Sequence, residues 1–132
     1  MPESFDTCQW AVARPWVAAM IAVDDVRHVA VIGGGTIGAS WTAFFLRRGF
    51  AVSVYDVEAG RRRYVEEYIQ NAWPALDSVR GNGRRPPAQW AFHERLRNAV
   101  AGAQFVQESV SETVEIKRAV FRELDDCCAP RW

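Results

Sequence analysis

Histidine is scarce in this sequence of 132 residues; only His28 and His93 are present. Taking a proton from a hydroxyl needs a positioned base, most often histidine. His28 opens an expected strand and His93 closes another, so both read as structural and no catalytic residue is assigned. Cysteine is nearly as sparse, with Cys8, Cys127 and Cys128. An odd count with an adjacent pair argues against a disulfide framework and for a reducing compartment, the cytoplasm. Cys127-Cys128 lacks C-x-x-C spacing and has no paired histidines, so no metal site is expected. Net charge is also missing: 16 basic residues balance 16 acidic ones. That balance gives no reason to expect nucleic acid or an anionic membrane surface as a partner. No stretch reaches the roughly 20 apolar residues that span a bilayer. The run Trp16 to Val23 is apolar but short. Glu3 and Asp6 stand where a secretory leader carries positive charge, so no leader is expected. Met20 is an alternative start of translation.

What the chain does have is glycine in a telling place. His28-Val29-Ala30-Val31-Ile32-Gly33-Gly34-Gly35-Thr36-Ile37-Gly38 reads as an apolar strand, a glycine turn and the first turn of a helix. Gly33, Gly35 and Gly38 fit G-x-G-x-x-G. In a dinucleotide site the first allows a sharp turn and the second lets main chain approach a pyrophosphate. The third lets the helix pack close to the strand. The free N–H groups and positive end of that helix then face the phosphates. Ile37, Trp41, Phe44 and Phe45 form an apolar face of the helix, which ends at Gly49. A second strand, Ala51 to Tyr55, leads to Asp56, placed to accept from a ribose hydroxyl. The plainer alternative is an ordinary βαβ turn with Asp56 capping a helix. Arg61-Arg62-Arg63 could attract a 2′-phosphate, whereas Asp56 would repel one; NAD is therefore favoured over NADP.

Downstream, Glu58 to Val79 reads as a helix with Tyr64, Val65, Tyr68, Ile69, Ala72, Trp73 and Leu76 on its apolar side. Pro74 is expected to kink or break it. Arg80 to Pro87 has loop composition. Trp90 to His93 and Gln104 to Gln107 read as strands. Glu94 to Ala101 and Ser111 to about Asp126 read as helices, the second with Val114, Val120, Phe121 and Leu124 inward. Alternation of this kind predicts an α/β fold: a Rossmann-type doubly wound parallel sheet in three layers, with four strands in the order 3-2-1-4. Residues 1–24 form an N-terminal extension and 25–132 the domain.

The glycine run with Tyr55-Asp56 resembles the N-terminal NAD-binding domain of the 3-hydroxyacyl-CoA dehydrogenase family. Phe105-Val106-Gln107-Glu108-Ser109-Val110-Ser111-Glu112, continuing to Ile116-Lys117, adds to the likeness, as does Asn71-Ala72-Trp73-Pro74-Ala75-Leu76. These two runs look most like the carnitine 3-dehydrogenase branch, with the gulonate dehydrogenase branch nearby. The resemblance implies NAD as cofactor and oxidation of a secondary hydroxyl on a small-molecule substrate. It places cofactor contacts at Gly33, Gly35, Thr36, Ile37, Gly38, Asp56, Glu112 and Lys117. Ser109-x-x-Glu112 is also a capping-box pattern, and a mid-helix lysine is commonly just solvated. Where the acyl-CoA branch has a CoA-holding lysine, two residues before Lys117, this chain has Glu115. A carboxylate there disfavours a CoA thioester relative to carnitine or a free hydroxy acid.

The family's catalytic histidine, its glutamate partner and the helical substrate and dimerisation domain have no counterpart here. Two readings stay open. The chain is the cofactor-binding portion of a dehydrogenase, incomplete and inactive alone, or it is a free-standing module that pairs with a separate catalytic chain. Either way the sheet is incomplete, its fourth strand is an edge, and self-association is expected.

Overall fold

A computed structural model describes residues 22–78 and 89–128. The loop expected at 80–87, the apolar run from Trp16 and the last four residues lie outside them, apart from the end of that run at 22–23. A short 3-10 turn, Val23–Asp25, leads into β1 (His28–Ile32), α1 (Thr36–Arg47), β2 (Ala51–Tyr55) and α2 (Arg61–Ser78). Then come β3 (Trp90–His93), α3 (Leu96–Val100), β4 (Phe105–Glu108) and α4 (Val114–Cys128). The strands form one parallel sheet in the order β3-β2-β1-β4. This is the doubly wound arrangement expected from the alternation of elements.

Because strand side chains alternate between faces, β1 feeds two cores. Val29 and Val31 join Val52 and Val54 under α1 and α2, against Leu46, Val65, Ile69 and Trp73. Ala30 and Ile32 point the other way, into Leu96, Ala99, Val100, Leu124 and Cys128 of α3 and α4. A strand buried on both faces has no polar alternation, which is why it reads as an unbroken apolar run.

Three expectations fail in detail. The face of α1 against the protein is made of Gly38, Ala39, Thr42, Ala43 and Leu46. Ile37, Trp41 and Phe44 are exposed instead. The cause is the tight approach of the start of α1 to the sheet at Gly38 and Ala39, where only small side chains fit; Leu46 packs further along, where the gap is wider. The displaced aromatics stack among themselves: Trp41 lies 5.4 Å from Phe45, and Phe45 lies 6.1 Å from Phe105 of β4. Second, of the kink or break expected at Pro74 the break does not occur: α2 continues through it. Proline's fixed φ suits a helix and only one ladder donor is lost, while the buried Trp73 beside it anchors the turn. Third, Val114 and Phe121 on α4 are exposed, and Leu124 and Cys128 carry its packing. The helix also starts at Val114, so Ser109 and Glu112 do not form its capping box.

Candidate functional site

The turn between β1 and α1 is shaped by contacts that only glycine permits. Gly33 has φ of 108°, and a Cβ there would sit 2.6 Å from the Ser109 carbonyl oxygen. A Cβ on Gly38 would meet the Gly33 carbonyl oxygen at 1.7 Å, so the helix seats directly on the turn. Gly35 is different, since a Cβ there would meet nothing within 4 Å. Its bareness serves no packing purpose within the described residues, and it faces open space. The first turn of α1 begins its ladder with the Ala39 N–H donating to the Gly35 carbonyl. The N–H groups of Gly35, Thr36, Ile37 and Gly38 precede that bond and are the free donors of a helix start. Thr36 turns its hydroxyl to Tyr64, 2.9 Å away, and Ile37 is exposed; neither they nor Gly38 line the cleft described below, which Gly33 and Gly35 do.

Asp56 sits just past the end of β2, and its carboxylate is held by two main-chain donors. The Gly34 N–H donates to Oδ2 at 2.8 Å and the Glu58 N–H donates to Oδ1 at 2.9 Å. Each oxygen keeps a further lone pair for a ribose hydroxyl. The helix-cap alternative does not hold, because α2 begins five residues later at Arg61.

Gly33, Gly35, Asp56 and Ser109 open into one cleft of about 430 Å³ at the carboxyl ends of β1, β2 and β4. Val57 and Ile116, Ala119 and Val120 of α4 give it apolar walls. In a doubly wound sheet the crevice outside the strand ends, where strand order reverses, is where nucleotides bind. The cleft fits a dinucleotide on three counts. It has a side-chain-free approach at Gly35 and free helix-start donors. It also adjoins Ser109, whose buried hydroxyl has no partner among the described residues.

Glu112 and Lys117 lie beside this cleft, outside its lining. Lys117 Nζ is 2.8 Å from Glu108 Oε2 and 3.6 Å from Glu112 Oε1. The hydrogen bond to Glu108 holds the ammonium above its usual value of 10.5 against partial desolvation, and Glu112 adds a weaker pull. Glu112 itself is 90 % exposed and free to turn toward a ligand. Glu108 was not singled out from the sequence, yet it organises this corner. Its Oε1 accepts from the Val110 N–H at 2.6 Å, and Oε2 accepts from Lys117. The available signal was an acidic residue closing an apolar strand. His28 is placed as expected, away from the cleft, with Nε2 2.7 Å from Ser53 Oγ. No group of three or more His, Cys, Asp or Glu among the described residues is arranged to hold a metal.

Comparison with known proteins decides the family. Residues 28–132 match the family model described as 3-hydroxyacyl-CoA dehydrogenase, NAD binding domain. The chain belongs to the 3-hydroxyacyl-CoA dehydrogenase family, as its NAD-binding domain. It is 39 % identical over 108 residues to L-carnitine dehydrogenase of Streptomyces griseus, covering 82 % of this chain and 32 % of that protein. It is 38 % identical over 101 residues to L-carnitine dehydrogenase/betainyl-CoA thioesterase of Ruegeria pomeroyi, covering 76 % of this chain and 21 % of that one. The chain therefore spans about a third or less of these relatives. Among solved structures, 3-hydroxybutyryl-CoA dehydrogenase from Escherichia coli K12 superposes with a TM-score of 0.69 at 30 % identity. That match covers 80 % of this chain and 23 % of that chain. NAD is thus the cofactor of this 3-hydroxyacyl-CoA dehydrogenase-family domain, and carnitine dehydrogenases are among its relatives. No described helix is long and apolar enough to cross a membrane.

Proposed function

We propose that the chain supplies the cofactor half of an NAD-dependent dehydrogenase that oxidises the secondary hydroxyl of a 3-hydroxy acid. Carnitine is the favoured substrate, because relatives at 38 % and 39 % identity are named for it and Glu115 puts a carboxylate where CoA phosphates would be repelled. The observation that carries the reading is the bare main chain at Gly35 opening into the same cleft as Asp56. The pyrophosphate rests on the N–H groups of Gly35, Thr36, Ile37 and Gly38. Asp56 takes the adenosine ribose, and Glu112 with Lys117 takes the ribose on the nicotinamide side. The base that removes the hydroxyl proton comes from outside residues 28–132, so the chain alone binds NAD without turning over. The reducing interior of the cell belongs to the same proposal, on the odd count of three cysteines with an adjacent pair.

Calorimetric titration with NAD, followed by an assay for NADH with carnitine present, tests this. Saturable binding without NADH formation is expected. Absence of binding refutes the cofactor role, and NADH production by this chain alone refutes the missing base. The alternative, a module acting with a separate catalytic chain, is favoured if affinity is high in isolation.

Self-association is part of the proposal. Among the described residues β4 pairs with β1 alone, leaving its other edge open. Phe105 at its start is 45 % exposed beside the Trp41–Phe44–Phe45 cluster. An open edge flanked by aromatic surface is a template for another strand. Light scattering should show oligomers, and a monodisperse monomer at high concentration would contradict this.

A further inference from the structure

What the far end of the cleft meets depends on that cleft being the NAD site. With the pyrophosphate at the glycine turn and the adenosine ribose at Asp56, the base lies beyond Asp56. There Val57 forms one wall, and Ile116, Ala119 and Val120 of α4 form the other. These apolar surfaces suit the two faces of a purine; they leave its hydrogen-bonding edge to be met.

Among the described residues, four charged side chains line the cleft: Asp56, Glu58, Arg61 and Glu123. Asp56 is held by the main chain of Gly34 and Glu58. Glu58 and Arg61 pair with each other at 3.3 Å. Glu123 has no hydrogen-bond or ion-pair partner among the described residues. It stands one helical turn past Ala119, on the same side of α4. Glu123 is exposed at the rim of the cleft, and after burial its charge is the next cause that raises the phenol of Tyr55, a residue of the same lining.

An ionised carboxylate only accepts hydrogen bonds. Adenine carries an exocyclic amino group, a donor, at the edge where hypoxanthine carries a carbonyl, an acceptor. We propose that Glu123 accepts a hydrogen bond from the adenine amino group and so selects the adenine dinucleotide over its oxopurine counterpart. At the exocyclic position the wrong base sets two acceptors against each other, and its nearest donor, the ring N1–H, lies to one side, so the selection comes from Glu123 facing the exocyclic group.

The test measures dissociation constants by calorimetry for NAD and for nicotinamide hypoxanthine dinucleotide. It uses the full chain and the variants Glu123→Ala and Glu123→Gln. The native chain should prefer NAD by about tenfold or more, as for one hydrogen bond to a charged group. Glu123→Ala should abolish the preference, weakening NAD through the lost hydrogen bond and relieving the opposed acceptors in the hypoxanthine dinucleotide. Glu123→Gln, nearly isosteric, should bind both dinucleotides about equally, because an amide can either accept or donate. Equal affinities in the native chain, or a preference that survives Glu123→Ala, would overturn the proposal while leaving the cleft a dinucleotide site. Failure of the native chain to bind either dinucleotide would overturn the cleft reading itself.

Discussion

Gly35 and Gly38 stand three residues apart in one motif, yet they should fail in opposite ways when each becomes alanine. At Gly38 the new methyl would lie 1.7 Å from the Gly33 carbonyl oxygen, 2.8 Å from its carbon and 3.5 Å from Val31 Cγ1. An ordinary carbon–oxygen contact needs more than 3 Å, so α1 must lift off β1 by well over an ångström. The neighbours cannot yield cheaply, because the obstacle is main chain rather than the tip of a flexible side chain. Overpacking of this kind costs about 1–3 kcal/mol and sometimes more, a large share of a small domain's stability. At Gly35 a methyl meets nothing within 4 Å, and the backbone φ of −75° suits any residue. Folding stability should therefore fall by only about 0.5–1 kcal/mol, the difference between glycine and alanine at a helix N-cap. NAD binding should weaken by about 1–3 kcal/mol, as the methyl holds the pyrophosphate off the free N–H groups. Urea denaturation and calorimetric titration of both variants give the two axes. If Gly35→Ala binds NAD normally, the bare turn is not a phosphate cradle. If Gly38→Ala unfolds at the native midpoint, the tight helix–strand seat does not exist.

Asp56→Ala should weaken NAD by about 1.5–3 kcal/mol through loss of a charge-assisted hydrogen bond to ribose; an unchanged dissociation constant would rule out the ribose assignment. Tyr55 is expected to titrate above 10.0, raised by burial and then by Glu123 and Asp56. The folded chain then holds that proton more tightly than the unfolded chain, so this stabilising contribution is complete below pH 10.0 and is lost as pH climbs through the raised value. Tyr55→Phe should flatten that alkaline loss in denaturation midpoints, and an identical alkaline profile would refute it. Leu96→Ala, emptying a fully buried position between Ala30, Ile32 and Leu124, should cost about 2–5 kcal/mol of stability by denaturant titration; a loss under 1 kcal/mol would show that the second core is loosely packed.

The strands were legible because they are short, apolar and bounded by turn residues. Trp90–His93 emerged with the ends expected from its residues alone, even though β3 is an edge strand with only partial burial. The helices were placed, but their inward faces were not always readable. Apolar character marks a face only when size permits burial, and on α1 the aromatics are too large for the gap that Gly38 and Ala39 define. Pro74 does not end α2 for a related reason: its local penalty is real, but a buried Trp73 and the packing of α2 on α1 outweigh it. At the site, the glycine turn and Asp56 were legible because their chemistry is local to a few residues. Glu108 was not, since its importance comes from Lys117 being folded back across nine positions. Glu123 was not either, because a carboxylate in a helix looks solvated until a cleft is found beside it.

The amino-acid order alone determined the alternation of elements, the parallel sheet and the place where α1 must sit close on β1. Those follow from side-chain size, backbone freedom and periodicity, all properties of neighbouring residues. Only the tertiary structure decided which apolar face of each helix meets the sheet, that Asp56 reaches back to Gly34, and that α4 walls the cleft with Glu123 at its edge. These depend on distances between segments far apart in the chain, which no local pattern encodes.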